Sequence, residues 1–238
     1  MAEWLKQAWV QMTLTLAVVY VACYSLYLFA YLFEHLSGNF FLVVNSIFAA
    51  IPLLISWRLV SNLKHKRWSD WEPFLLTLLW LIFIPGSFVI LTDFIHLASA
   101  SSANILFIAI TYICFALLCL TMGLISLYMI HTELKKRIKP ITAAAVMALI
   151  LLVICFDLYV ASDLGWNNWD IVINPGGYVF DLLNVMTKSS SYHYMIKTMA
   201  GLFVLLGSAY LLTWRNGRIV WHKGINDLAT HIKRSKIS

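Results

Sequence analysis

Charge is what this chain has least of. Lys, Arg, Asp and Glu make up 12% of its 238 residues, against 61% hydrophobic ones, and the mean hydropathy is +0.81. An ordinary soluble domain carries about 25% charged residues, so water is excluded as the solvent for most of this surface. Cysteine is also sparse: Cys23, Cys114, Cys119 and Cys155 all fall inside apolar runs, with no CxxC and no paired spacing in a loop. That pattern predicts neither a structural disulfide nor a zinc–thiolate centre. No P-loop, dinucleotide fingerprint, nucleophile elbow or zincin motif occurs, which removes the well-marked activities. No internal repeat or low-complexity tract stands out.

What is present is a series of long apolar stretches. A bilayer core about 30 Å thick needs roughly 20 apolar residues per helix, and such runs recur here between short polar segments. The predicted fold is all-α, a polytopic membrane helical bundle forming a single domain over 1–238. Its six transmembrane helices are expected at about 10–33, 40–60, 71–97, 104–129, 142–161 and 195–214, with a basic tail over 215–238. The run after Met1 to Gln7 is too long for a signal-peptide core and lacks a small-residue cleavage site, so the first helix is expected to be retained. Ser69, Glu72 and Pro73 have capping-box spacing at the start of the third span, and Pro140 opens the fifth. In the long segment from Ser162 to Tyr194, Pro175-Gly176-Gly177 reads as a turn and Tyr178 to Met186 as a short interfacial or re-entrant helix.

Short cytoplasmic loops carry an excess of Lys and Arg. With six spans, Lys6, the segments Lys64-His65-Lys66-Arg67 and Lys135-Lys136-Arg137-Ile138-Lys139, and the tail share one side, while Lys188 and Lys197 lie on the other. Both termini are therefore expected in the cytoplasm. The +6 formal charge follows from this topology and from attraction to anionic lipid headgroups. The lipid bilayer is the expected partner, no nucleic acid need be invoked, and the tail needs no dedicated docking role.

An ionisable group inside a span costs roughly 2.5–3.5 kcal/mol on insertion scales, so those present mark candidate sites. Asp93 and His96 are spaced three apart on one helix face near the outer end of the third span. Asn45 and Asp157 come at comparable depth on the second and fifth, and Thr92 joins Asp93 and His96 in a polar knob. A carboxylate and an imidazole so placed suit a divalent metal or general acid/base work; the plainer alternative is that they pair to lock the bundle. Pro85-Gly86 predicts a kink in the third span, either exposing a carbonyl to a cavity beneath Asp93 or serving packing alone. Pro52 has the same two readings. Trp166, Trp169 and Tyr178 either contact a ligand or sit in the interfacial aromatic belt. Gly123 and Ser126 read as a small-residue packing surface.

Several segments resemble a bacterial family of membrane proteins catalogued as domain of unknown function 1361. These are Asn45-Ser46-Ile47-Phe48-Ala49-Ala50-Ile51-Pro52, the run from Leu79 through Trp80 and Phe83 to Pro85, Thr92-Asp93-Phe94-Ile95-His96-Leu97, Met122-Gly123-Leu124-Ile125-Ser126-Leu127-Tyr128 and Trp166-Asn167-Asn168-Trp169-Asp170. Two segments depart from it. Gly86-Ser87-Phe88-Val89 stands where the family usually has Asn-Ala-Pro-Tyr, and Ala161-Ser162-Asp163-Leu164-Gly165 replaces a Gly-Arg-Phe-Leu-Arg run. Loss of both arginines argues against an anion site there.

The resemblance implies a bacterial cytoplasmic-membrane location and a shared position for Asp93, His96, Asn167 and Asp170, but no activity. The expected site is thus Asp93, His96 and Asp170 as catalytic or metal-binding groups, with Asn45, Thr92, Asp157, Trp166, Asn167 and Trp169 around a small-molecule or lipid-like ligand. A cell-envelope enzyme or ligand- or metal-binding protein, a non-catalytic assembly subunit, and a small transporter relaying cations or protons through Asp93 or Asp157 all fit this pattern. The topology is directly testable. Reporter fusions after Ser238 and within 64–67 are expected to be active only in the cytoplasm, and a fusion at Ser190 only outside; the reverse pattern overturns the orientation.

Overall fold

The computed structural model describes residues 2–33, 40–92, 105–164, 173–187 and 192–235, and among them every regular element is helical. Seven α-helices follow in order: α1 Ala2–Phe33, α2 Phe40–Asn62, α3 Trp71–Phe83, α4 Ile105–Leu134, α5 Pro140–Leu164, α6 Pro175–Thr187 and α7 Tyr192–Ser235. Between α3 and α4 come two short 3₁₀ segments, Ile84–Ser87 and Val89–Leu91. Among the described residues five stretches are long and apolar enough to cross a membrane: Leu42–Asn62, Trp71–Leu91, Ile105–Leu134, Pro140–Ser162 and Tyr194–Arg215. Leu14–Phe29 of α1 is a shorter apolar helix.

Helix α4 is the axis of the bundle. Ile108, Tyr112, Phe115 and Cys119 pack with Cys23 and Tyr27 of α1 and Leu42 and Ala49 of α2. Further along the same helix, Leu127 and Ile130 pack with Leu59, Trp80, Phe88, Leu151, Ile154 and Tyr210, which come from α2, α3, the 3₁₀ segment, α5 and α7. A helix that buries several faces must be apolar all round, which explains why its sequence lacks a polar stripe. By contrast α1 and α7 turn Leu14, Val18, Leu32, Val204 and Leu211 outward, as helices bordered by lipid do.

Two local expectations are corrected. The N-cap of α3 is Asp70, not Ser69; its Oδ2 accepts from the Arg67 backbone N–H at 2.7 Å, and Glu72 is held by Arg58 and Lys66 instead of closing a capping box. Pro175-Gly176-Gly177 is the first turn of α6, not a separate turn. Asn174 precedes it and its Oδ1 accepts from the Gly177 N–H at 3.0 Å, so proline occupies the position where its missing N–H costs nothing. The last helix also runs on into the basic tail: α7 has 44 residues, about 66 Å of helix and more than one bilayer thickness.

The third span does more than kink. After Phe83 it tightens into 3₁₀ winding, and Ile84 through Ile90 are all buried. Gly123 of α4 makes this approach feasible, because an added Cβ would lie 2.8 Å from both Ser87 Cβ and Phe88 Cζ. Gly123→Ala is expected to destabilise the detergent-solubilised protein by about 1–3 kcal/mol through overpacking. Gly207→Ala, where nothing lies within 4 Å, is expected to be neutral or to gain up to about 1 kcal/mol. Equal melting shifts for the two variants would show that the close approach is not what holds the break.

Candidate functional site

Several buried polar groups of the described bundle meet where α2, α3 and α4 come together. Trp80 Nε1–H of α3 donates to Ser126 Oγ of α4 at 2.8 Å, and the Ser126 hydroxyl donates to the Pro52 carbonyl of α2 at 3.0 Å. One level away, the Ser87 hydroxyl reaches the Ala49 carbonyl at 3.3 Å. Ser56 donates to the Leu53 carbonyl at 2.8 Å and lies 3.6 Å from Met129 Sδ. Trp80 is 1% exposed and Ser87 and Ser126 are fully buried, so their interhelical bonds supply partners that hydrocarbon cannot, whereas buried Ser46 and Ser56 donate to carbonyls of their own helix. Thr92 closes the 3₁₀ segment on itself, its hydroxyl donating to the Val89 carbonyl at 2.7 Å.

Of the sequence-predicted site residues, the structure describes three. Asn45 is fully buried in α2, among the residues that pack α1, α2 and α4. Asp157 is half-buried on α5, flanked by Cys155 and Leu158 of the other cluster. Thr92 is half-buried at the end of the 3₁₀ segment. Asp93, His96, Trp166, Asn167, Trp169 and Asp170 lie outside the described residues. Among the described residues no group of three His, Cys, Asp or Glu side chains is placed to hold a metal, and the four cysteines are free thiols.

At the opposite end, the basic loops carry structure that composition did not reveal. Glu133, in a segment that reads as simply basic, has a side chain only 8% exposed and pairs with Lys136 at 2.6 Å and Arg137 at 3.4 Å. Arg137 also donates to the Leu63 carbonyl at 2.6 Å and lies over the Trp68 ring at 5.8 Å, tying the two loops together. Beside them, His131 Nδ1 contacts the Tyr210 hydroxyl, the His131 ring stacks on Trp214 at 4.2 Å, and Lys135 sits 4.7 Å above the same indole. This clasp joins α4 to α7; its one sequence signal was an imidazole in the last turn of a span.

A groove of about 530 Å³ opens between α3 and α5. Thr77, Trp80, Leu81, Ile84 and Pro85 line one wall and Val146, Leu149, Ile150, Val153 and Ile154 the other, with Trp68, Ile130 and Leu134 completing it. Both walls show the i, i+3, i+4, i+7, i+8 repeat of a single helix face. It lies on the basic-loop side of Pro85; the cavity anticipated beneath Asp93 falls on a segment outside the described residues.

A family model described as a protein of unknown function (DUF1361) matches residues 44–206. No curated protein and no solved structure matches the chain. The Trp80–Ser126–Pro52 relay should behave as one unit: Trp80→Phe and Ser126→Ala are each expected to lower stability, and a double-mutant cycle to return a coupling of about 0.6–1.7 kcal/mol. Strictly additive effects would sever the relay.

Proposed function

The chain belongs to the DUF1361 family, and from that premise we propose that it is a six-span ligand- or metal-binding protein of the bacterial cytoplasmic membrane, with both termini cytoplasmic and a polar site at the outer face. Asp93, His96 and Asp170 are its metal-binding or acid/base groups. Asn45, Thr92, Asp157, Trp166, Asn167 and Trp169 surround a small-molecule or lipid-like ligand.

One observation carries this reading: the third span leaves α-helical winding at Ile84 and runs buried to Ile90, handing the chain through Leu91 to Thr92 directly before Asp93. Runs of 3₁₀ inside a span are uncommon and often mark functional segments, and irregular backbone at membrane depth persists only where protein or a cavity encloses it. The 13 residues of α3 and the eight that follow give a path of about 35 Å, enough to bring Thr92 to the outer edge of the hydrocarbon.

The second reading is a non-catalytic assembly subunit, favoured by the use of Pro52, Trp80, Gly123 and Ser126 in packing. A transporter with Asp93 or Asp157 as relay has less support, because the described groove is lined by no ionisable side chain. Metal analysis of detergent-purified protein separates the readings. About one divalent ion per chain is expected, lost in Asp93→Ala and His96→Ala while the melting curve survives. A metal-free native protein, indistinguishable from both variants and co-purifying with a stoichiometric partner, overturns the site and leaves the assembly reading.

A further inference from the structure

We infer that the groove between α3 and α5 seats an acyl chain of an anionic glycerophospholipid drawn from the leaflet that the two basic loops face. The inference is independent of the outer polar site.

The lining selects hydrocarbon because its polar atoms are already used. Trp68 Nε1–H donates to Thr77 Oγ1 at 2.7 Å, the Thr77 hydroxyl donates to the Pro73 carbonyl at 2.8 Å, and Trp80 Nε1–H is committed to Ser126. A polar ligand entering would shed its hydration and find no free side-chain donor. An alkyl chain loses nothing, and the volume of about 530 Å³ lies within the usual range for ligand sites.

Depth fixes the leaflet. Thr77 is six residues into α3 and Val146 six residues into α5, so both walls begin about 9 Å from the loop-side helix ends, and Ile154 marks a limit near 21 Å. Trp68 and Leu134 reach back to the loops themselves. The groove therefore runs from the headgroup level to just past the middle of the bilayer core, the path of a chain anchored on that side.

Charge selects the headgroup. Residues 63–70 and 133–139 hold seven Lys and Arg and two carboxylates. Glu133 is taken by Lys136 and Arg137, whereas Arg67, next to groove-lining Trp68, and Lys139, next to the first residue of α5, are exposed with no acidic partner among the described residues. Each such cation near an anionic surface is worth about 1 kcal/mol, roughly fivefold in affinity.

The test is native mass spectrometry of the full chain released from nanodiscs made with equal amounts of phosphatidylglycerol and phosphatidylcholine of identical chains. Wild type is expected to retain phosphatidylglycerol at least about fivefold over phosphatidylcholine. Val153→Trp, which fills the groove from its exposed side, is expected to lose the retained lipid with an unchanged melting temperature. Leu211→Trp, on the outward face of α7, keeps it. Should Val153→Trp misfold, Leu81→Trp gives the same readout from the opposite wall. Arg67→Gln with Lys139→Gln is expected to retain lipid while the preference falls toward unity. Equal retention of both lipids by wild type, retention unaffected by folded Val153→Trp or Leu81→Trp, or a dimer that excludes lipid until the groove is filled, overturns the proposal.

Discussion

The constraint on which this bundle depends is that hydrocarbon offers no hydrogen bonds, so every departure from regular helix must be matched by a neighbouring side chain. Two prolines lie deep in the fold. Pro52 lies inside the continuous helix α2, where its carbonyl also accepts the Ser126 hydroxyl; Pro85 lies at the tightening of the third span into 3₁₀ winding, where Ser87 turns its hydroxyl to the Ala49 carbonyl. Trp80 completes the relay from the third helix. The hydrogen bonds thus lock α2, α3 and α4 at one place, where apolar contact alone gives little preference for register because lipid is as apolar as leucine.

Packing follows from that joint. Gly123 admits Ser87 and Phe88 at a distance no larger residue tolerates, and the 3₁₀ segment then bridges the two core clusters: Phe88 and Val89 belong to one, Ile90 to the other. Because this segment fills the space between α2, α4 and α5, the body of α3 stands away from α5 on the loop side. The groove is the consequence, and its upper boundary at Pro85 is the place where the third span moves back into contact.

The two ends of the bundle are built differently. On the basic-loop side, buried Glu133, Arg137 over Trp68, and the His131–Tyr210–Trp214 stack tie loops and helices into a closed set of contacts. Paired charges of this kind add little net stability when solvated, but an uncompensated buried carboxylate is costly, so the cations near Glu133 are partly structural. Arg67 and Lys139 lie beyond its reach and form no ion pair among the described residues.

The sequence by itself determined the apolar surroundings, the helical class, the family and the approximate positions of five long apolar helices, because burial in a bilayer demands apolar runs of fixed length whatever their neighbours. It also marked Gly123 and Ser126 as a close-packing surface and Pro52 and Pro85 as kinks, without deciding whether those kinks served packing or a cavity. It located the polar residues Asn45, Thr92 and Asp157 along the chain, but whether such groups share a chamber depends on helix rotation, which periodicity cannot fix in helices that are apolar all round. Only the tertiary structure decided that Trp80 reads Ser126, that Glu133 is buried inside a basic segment, that Tyr210 finds His131 79 positions away, and that the cavity lies on the loop side of Pro85. Each of these is a contact between distant segments, set by which helix faces meet rather than by anything either segment encodes alone.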